Sequence, residues 1–499
     1  MVTKQQKLCP EVIKFLSSAP KKMLINGEFV ESLSGKTFDT INPATEELIV
    51  KVYEADKEDI NRAVNAARTA FEGCWKKVTP YQRQQLLFKL ADLIEKHGEE
   101  FAELESLNNG KAIKEARALD VPFTVEHIRY YAGWATKIHG ETISVSCGNY
   151  FNYTLREPVG VVGQIIPWNF PLIMAAWKIA AAIACGCCVV LKPAEQTPLT
   201  ALRLGELIME AGFPEGVINI CPGFGPTSGA ALAAHMDVDK VAFTGETSTG
   251  REIVKASAFN LKRVSLELGG KSPNIVFKDG DIDAAAQGAF NAVFFNQGQV
   301  CCAGSRLFVE KPVYEELTNK LASIINKIKV GTGLDLETDM GPVVSHDQFK
   351  KVLEYLEIGK KEGAKAVCGG SKVNDPNLQK GYFVEPTLFT NATNKMRVAR
   401  EEIFGPVICA IPFTDIDEVV TQANDTVYGL GAGIWTKDIK KAHRVANVLK
   451  AGTVWINCYS AFDVASPFGG CKQSGYGREC GKDALDLYTQ IKSVWVNLD

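Results

Sequence analysis

The chain has 499 residues, 46% hydrophobic and 23% charged, with a formal net charge of −3. That is the composition of an ordinary globular protein long enough for two to four domains. It has no basic excess to suggest nucleic acid, no charge run to suggest a membrane surface, and no apolar stretch long enough to span a bilayer, since the longest run, 179–191, is interrupted by Gly186.

The first residues, Met1-Val2-Thr3-Lys4-Gln5-Gln6-Lys7, are polar and lead into no apolar signal core. Without such a signal, 14 cysteines point to a reducing compartment rather than a disulfide framework, so a cytoplasmic protein is expected. Cys185-Gly186-Cys187-Cys188 contains a C-x-x-C spacing. It lies among apolar residues with no second Cys/His pair nearby, and is read as core. The six histidines form no ligand cluster, and no metal is expected.

In chain order, Met23 to Val30 places two short apolar runs around Asn26-Gly27, a hairpin signal. Helical periodicity follows over 59–71 and 81–95, with further helices over 99–107 and 123–137. Residues 149–156 alternate, as a half-exposed strand does.

From Pro158 the pattern becomes strand, helix, strand, helix. Strands are predicted over 159–166, 187–191, 217–221, 241–243 and 264–268, with helices over 172–184, 199–211, 227–234 and 248–257 between them. Continuous apolar strands alternating with helices imply a parallel sheet covered on both faces, with ligands at the carboxyl ends of its strands. A second α/β series has strands over 273–277, 306–309, 407–412 and 452–456, with helices over 314–328, 346–362 and 415–424. The chain ends in another alternating strand, 488–496. This strand and the one near Phe151 either pair with each other or extend a partner's sheet.

The stretch richest in chemistry is Asn296-Gln297-Gly298-Gln299-Val300-Cys301-Cys302-Ala303-Gly304-Ser305-Arg306. A segment suited to a helix, 281–295, runs into it and a strand leaves it. Thiols on a glycine-flanked loop between rigid elements are presented as nucleophiles usually are. Several strand ends are also unusual. Pro167-Trp168-Asn169-Phe170-Pro171 holds an amide between prolines, either as a donor or as a turn cap. Lys192 and Glu195, in Leu191-Lys192-Pro193-Ala194-Glu195, set opposite charges at the crevice, facing a ribose or phosphate or simply each other.

Phe243-Thr244-Gly245-Glu246 opens a strand-to-helix turn whose free N–H groups suit a pyrophosphate. Gly225 and Gly229 lie in a second glycine turn, one residue off the dinucleotide fingerprint. Glu267, in Glu267-Leu268-Gly269-Gly270-Lys271, sits at an apolar strand end that raises its pKa. It is either a base or a partner for Lys271. Ile165, Ile166, Pro167, Trp168, Leu268 and Gly269 complete the candidate cofactor contacts at these ends.

Together with Asn42-Pro43-Ala44-Thr45, Gly298-Gln299-Val300-Cys301, Glu402-Ile403-Phe404-Gly405-Pro406 and Ser466-Pro467-Phe468-Gly469-Gly470, these motifs resemble the aldehyde dehydrogenase superfamily over nearly the whole chain. They are most similar to its class 1/class 2 enzymes, which include acetaldehyde and retinal dehydrogenases. The resemblance implies a Rossmann-like NAD-binding domain over 1–140 and 158–268, a catalytic α/β domain over 269–480, and a small β oligomerisation arm over 141–157 and 481–499, assembled as a homotetramer.

It further implies that Cys301, rather than Cys302, is the nucleophile, Asn169 the oxyanion donor and Glu267 the general base. Lys192 and Glu195 fall where the adenine ribose of NAD is held, Glu402 at the nicotinamide ribose, and Phe404 beside that ring. Phe170, Met174, Trp177, Phe295 and Phe462, with Phe123 nearby, fall where an aldehyde tunnel is lined. The implied reaction oxidises an aliphatic, aromatic or retinal-like aldehyde to its acid with NAD, and NADP as a possible alternative. One departure is Glu246, where the phosphate turn usually carries serine. Two rival readings are weaker: a catalytically silent member should lack Cys301 or Glu267, and a CoA-acylating enzyme has no need of Glu267.

Overall fold

The computed structural model describes residues 7–499; residues 1–6, in the polar segment read above as no signal peptide, lie outside the described residues. Its largest sheet has eight strands. Five are parallel and lie in the order Arg263–Glu267, Lys240–Thr244, Val161–Ile165, Cys188–Lys192 and Ile218–Ile220. The 263–267 edge is extended antiparallel by Gly475–Tyr476, and the other edge by the hairpin Met23–Ile25 and Glu28–Val30. Asn26 and Gly27 both have positive φ, 53° and 79°, as the tight hairpin turn demands. Four of the five parallel strands, from Val161 to Thr244, are buried along their full length, which is why they are written as continuous apolar runs rather than alternating ones.

The second sheet has seven strands, in the order Lys365–Cys368, Thr387–Thr390, Val407–Phe413, Arg306–Glu310, Pro273–Val276, Gly431–Trp435 and Thr453–Ile456. All neighbours are parallel except the first pair. The strand at Gly431–Trp435 is not predicted from the sequence, because glycine is depleted in strands. Here the glycines admit large neighbours. A Cβ on Gly431 would come 2.9 Å from the Trp455 ring, and one on Gly433 2.5 Å from the Tyr459 ring.

The predicted terminal strands do pair with each other: Thr489–Asn497 lies antiparallel to Tyr150–Pro158 over nine residue pairs. Four predicted helices are revised. The ones over 123–137 and 314–328 end at Trp134 and Ile325, and the one running into the cysteine loop ends at Phe294. The one over 227–234 is a wide turn, Gly225–Gly229, closed by Gly229 N donating to Phe224 O at 3.2 Å, followed by the short helix Ala230–Ala234. The apolar run 179–191 is divided by Gly186 at φ 92° into the end of the helix Pro171–Cys185 and the strand Cys188–Lys192. Among the described residues no helix is long and apolar enough to cross a membrane, and no cluster of His, Cys, Asp and Glu is arranged to hold a metal.

The cysteine loop is anchored on its far side by Arg306, which is fully buried. Its guanidinium donates to Lys271 O (2.8 Å), Asn394 Oδ1 (3.0 Å), Gln422 O (3.0 Å) and Ala423 O (2.8 Å). Those acceptors belong to three separate segments of the chain, of which Lys271 immediately precedes the strand Pro273–Val276 that pairs with Arg306 in register. Arg306→Met removes every donor and leaves the acceptors buried, so it should cost about 3 kcal/mol and lower the calorimetric melting temperature. An unchanged melting temperature contradicts this role.

Candidate active site

The helix Ile282–Phe294, capped by Asp281 accepting from Ala284 N at 3.0 Å, delivers the chain to a loop with an unusual backbone. Asn296, Gln297 and Gly298 all have positive φ, at 47°, 56° and 72°. Only glycine fits the third position, where a Cβ would lie 2.1 Å from Gly405 O. The turn is tied down by buried polar groups. The Asn296 side-chain amide donates to Asn169 O (2.9 Å) and Gln299 O (3.3 Å), and Asn169 Nδ2 donates to Gln299 O (2.9 Å). Val344 N donates to Gln299 Oε1 at 3.0 Å. One amide hydrogen of Asn169 is engaged in this way, which leaves its second for the cavity it lines.

The loop sets the two thiols in different surroundings. Cys302 is 1% exposed, and its carbonyl accepts from Tyr459 Oη at 2.8 Å. Cys301 is only partly buried. The hydrogen bond with the Cys302 thiol and burial together push the Cys301 thiol well above its ordinary pKa.

Cys301, Asn169 and Glu267 line one cavity of about 730 Å³. From the first sheet's strand ends it receives Pro167, Trp168, Thr244, Gly245, Leu268 and Gly269, and from the second sheet's side Glu402 and Phe404. Phe170, Met174, Trp177, Phe295, Phe462 and Phe123 also line it. Phe170 and Phe295 stack with centroids 6.0 Å apart, and Phe462 meets Phe468 edge to face at 5.4 Å.

Ile165, Ile166, Phe243, Lys192, Glu195, Gly225 and Gly229 do not line this cavity. They lie further along the same sheet edge. Ile165 pairs with Lys192 in register, Ile165 also faces Phe243, and Ile166 N donates to Lys192 O at 3.1 Å. Lys192 Nζ and Glu195 Oε2 are 3.0 Å apart, so the two charges do face each other. A Cβ on Gly229 would lie 3.9 Å from the Lys192 side chain, and one on Gly225 would meet nothing. Gln348 and Lys351, both in the helix His346–Lys361, line the cavity without a sequence motif to announce them. Gln348 Nε2 donates to Ile403 O (3.0 Å) and Phe404 O (2.6 Å) and so holds Phe404 at a φ of 60°. Trp168 meets the Phe404 ring edge to face at 5.2 Å.

Glu267 is buried, and neither carboxylate oxygen has a hydrogen-bond partner among the described residues. Burial pushes its pKa well up. The Glu479 and Cys301 charges add to this, while Lys178 and Arg478 oppose it. Of the two readings of Glu267, partnership with Lys271 finds no ion pair among the described residues. Glu402 Oε1 accepts from Gly270 N at 2.9 Å, and burial raises its pKa to about 7. Glu246 is exposed at the cavity rim, at the cap of the helix Thr247–Ser257, and makes no side-chain cap.

A dinucleotide fits what these residues leave open. Thr244 Oγ1 is buried without a partner among the described residues, and a Cβ on Gly269 would fall 2.0 Å from the Glu402 carboxylate, so the wall there is cut back to bare backbone.

An unpartnered buried carboxyl has a stability consequence. Below the unfolded-state pKa, near 4.3, Glu267 is protonated in the folded and unfolded chain alike and adds no pH-dependent cost. Above it the unfolded chain ionises while the folded carboxyl keeps its proton, so the fold loses stability as pH rises until the raised pKa is passed. Glu267→Gln should therefore raise the melting temperature at pH 7 and leave it unchanged near pH 4. A lower melting temperature at pH 7 contradicts this.

Residues 29–494 match the model of the Aldehyde dehydrogenase family. The chain is 54% identical over 475 residues to aldehyde dehydrogenase family 2 member B4, mitochondrial, of Arabidopsis thaliana, covering 95% of this chain and 87% of that protein. It is 52% identical over 480 residues to human retinal dehydrogenase 2, covering 96% and 92%. The NAD+ complex structure of aldehyde dehydrogenase from Bacillus cereus superimposes with a TM-score of 0.97 at 55% identity, covering 99% of this chain and all of that one. With a thiol, an amide and a buried carboxyl around one cavity and likeness over nearly its full length, the chain belongs to the aldehyde dehydrogenase family.

Proposed function

We propose that this protein oxidises an apolar aldehyde to its carboxylic acid, using NAD, through a covalent adduct on Cys301. The observation that carries the reading is the convergence of Cys301, the Asn169 amide and the Glu267 carboxyl, which has no hydrogen-bond partner among the described residues, on one aromatic-walled cavity.

Cys301, as thiolate, attacks the aldehyde carbon and forms a hemithioacetal. The negative charge passes to the carbonyl oxygen, where the second Asn169 amide hydrogen and the Cys301 backbone N–H receive it. Pre-set donors in a site with little water stabilise that charge without reorganisation. Gly245, Thr244, Gly269 and Glu402 would hold the inner part of the dinucleotide, with Lys192, Glu195 and Gly229 along the outer edge. When bound, NAD supplies the hydride acceptor, and its action leaves the acyl group on Cys301 as a thioester. Glu267 then takes a proton from water as the water oxygen attacks the thioester carbon, and the Cys301 thiolate leaves.

Both reactive groups act deprotonated and both have raised pKa values. A cationic nicotinamide beside Cys301 would favour the thiolate.

The stacked Phe170 and Phe295 rings, with Trp177 and Phe462, suit aliphatic, aromatic or retinal-like aldehydes better than charged ones. A relative named retinal dehydrogenase 2 supports that range. The sheets support two domains, over 1–140 with 158–268 and over 269–480, and an arm over 141–157 with 481–499, except that Gly475–Tyr476 extends the first domain's sheet. Ile491 and Trp495 are exposed on the arm's edge strand, which supports a dimer of dimers that covers them. A reducing, cytoplasmic setting fits 14 free cysteines.

Cys301→Ala should abolish NAD-dependent oxidation of hexanal, while Cys302→Ala retains most of it. Equal loss in the two variants contradicts the assignment of the nucleophile.

The cofactor reading rests on Glu195, whose carboxylate would accept from the adenine ribose hydroxyls and repel a 2′-phosphate. Lys192 offsets part of that repulsion, so NAD is preferred over NADP by roughly tenfold in kcat/KM. Glu195→Gln should narrow the ratio chiefly by lowering the KM for NADP. A wild type that prefers NADP, or a ratio unmoved by the substitution, contradicts it.

A further inference from the structure

Beneath the cavity wall lies a buried charge cluster to which the proposed reaction assigns no part. Lys111, on the segment between the helix Gly98–Asn109 and the helix Val121–Trp134, is fully buried. Its ammonium is 2.7 Å from Asp120 Oδ1 and 3.6 Å from Glu105 Oε1. It also stands over the Phe170 ring, 4.4 Å from the centroid. Phe170 in turn stacks on Phe295, the residue that opens the left-handed turn.

The cluster also grips the Pro167–Pro171 turn and the cysteine loop through the backbone. Glu105 Oε1 accepts from Leu172 N (3.4 Å), Asn109 Nδ2 donates to Trp168 O (2.8 Å), and the Glu115 carboxylate accepts from Asn296 N (3.3 and 3.4 Å). Glu105, Asp120 and Glu115 all lie close enough for the Lys111 charge to be felt. A buried cation among three carboxyls is costly unless well paired, and its removal leaves uncompensated charge. Simple support of the fold does not require that cation to sit on a ring of the cavity wall.

We propose that Lys111 is a positioning residue for the aldehyde end of the cavity: its ammonium fixes the Phe170 ring from behind and, through Glu105, the turn that carries Asn169. The cation–π contact sets one side of the aldehyde channel, and the Glu105 link sets the height of the oxyanion donor relative to Cys301. This rests on the reading of Cys301 and Asn169 given above. It adds a residue that touches neither aldehyde nor cofactor.

Lys111→Met keeps the aliphatic stem and deletes the charge. In the full-length enzyme its kcat/KM for hexanal should fall by about tenfold or more. The KM for NAD and the rate at which iodoacetamide alkylates Cys301 should stay within about twofold of wild type, because neither reads the Phe170 wall. Lys111→Arg, which restores a cation over the ring, should recover part of the loss. A kcat/KM for Lys111→Met within about twofold of wild type overturns the proposal. So does a fall in NAD affinity and alkylation rate in step with it, which marks a merely structural role, or an absence of recovery with arginine.

If Lys111→Met does not fold, Lys111→Met/Asp120→Asn removes one cation and one anion together and is read by the same split. The underlying assignment fails separately, by hexanal oxidation surviving in Cys301→Ala.

Discussion

Three consecutive residues in the left-handed region, Asn296, Gln297 and Gly298, are the constraint on which the site depends. A left-handed conformation costs on the order of 1 kcal/mol or more at each non-glycine residue. The cost is offset by a set of buried hydrogen bonds around the turn. Asn296 holds Asn169 O and Gln299 O, Asn169 holds the same Gln299 carbonyl, Val344 N holds the Gln299 side chain, and Glu115 receives Asn296 N. The turn that carries the amide and the loop that carries the thiol are therefore one hydrogen-bonded unit, although 130 residues separate Asn169 from Gln299. A shift in one is transmitted to the other, so amide and thiol keep their relative placement.

Around this unit the protein gives up stability for chemistry. Glu267 is kept from solvent with neither oxygen bonded, and the nearby Lys178 is already engaged at 2.8 Å by Glu479. A carboxyl so placed is a poor structural element and a good reservoir for a proton. Cys301 follows the same logic: the hydrogen bond with the Cys302 thiol and burial raise its pKa. Arg306 and Lys111 carry the opposite sign of the argument. Each is a buried cation with a well-made set of acceptors or partners, and each fixes a wall of the site from the side remote from the cavity.

Much of this was legible in the chain, and the reasons are local. The parallel strands are buried on both faces, so their apolar runs are continuous; Val161–Ile165 and Cys188–Lys192 stand out for that reason. Asn26-Gly27 announces its hairpin because both residues must adopt positive φ. The cysteine loop is visible through glycines that close contacts require. What the sequence hides depends on tertiary approach. Gly431–Trp435 is a strand because Trp455 and Tyr459 need the space that its glycines leave. Gln348 and Lys351 enter the cavity from a helix of the other sheet, with no spacing to link them to the strand ends. Lys111 carries no motif in the sequence, and only packing shows it under Phe170. Lys192 and Glu195 face each other past a strand end, as their spacing suggests, but along an edge continuous with the cavity rather than in its wall, and Gly229 approaches Lys192 from a separate turn.

In the proposed mechanism the Cys301 thiol carries the acyl group and the buried Glu267 carboxyl releases it. The most direct measurement is rapid acid quench of Glu267→Gln after mixing with NAD and hexanal, followed by peptide mass spectrometry of the cysteine loop. The account predicts a hexanoyl thioester on Cys301 that accumulates in the variant and turns over in the wild type. An acyl group on Cys302, or free hexanoate formed by the variant at the wild-type rate with no acylated peptide, would contradict it.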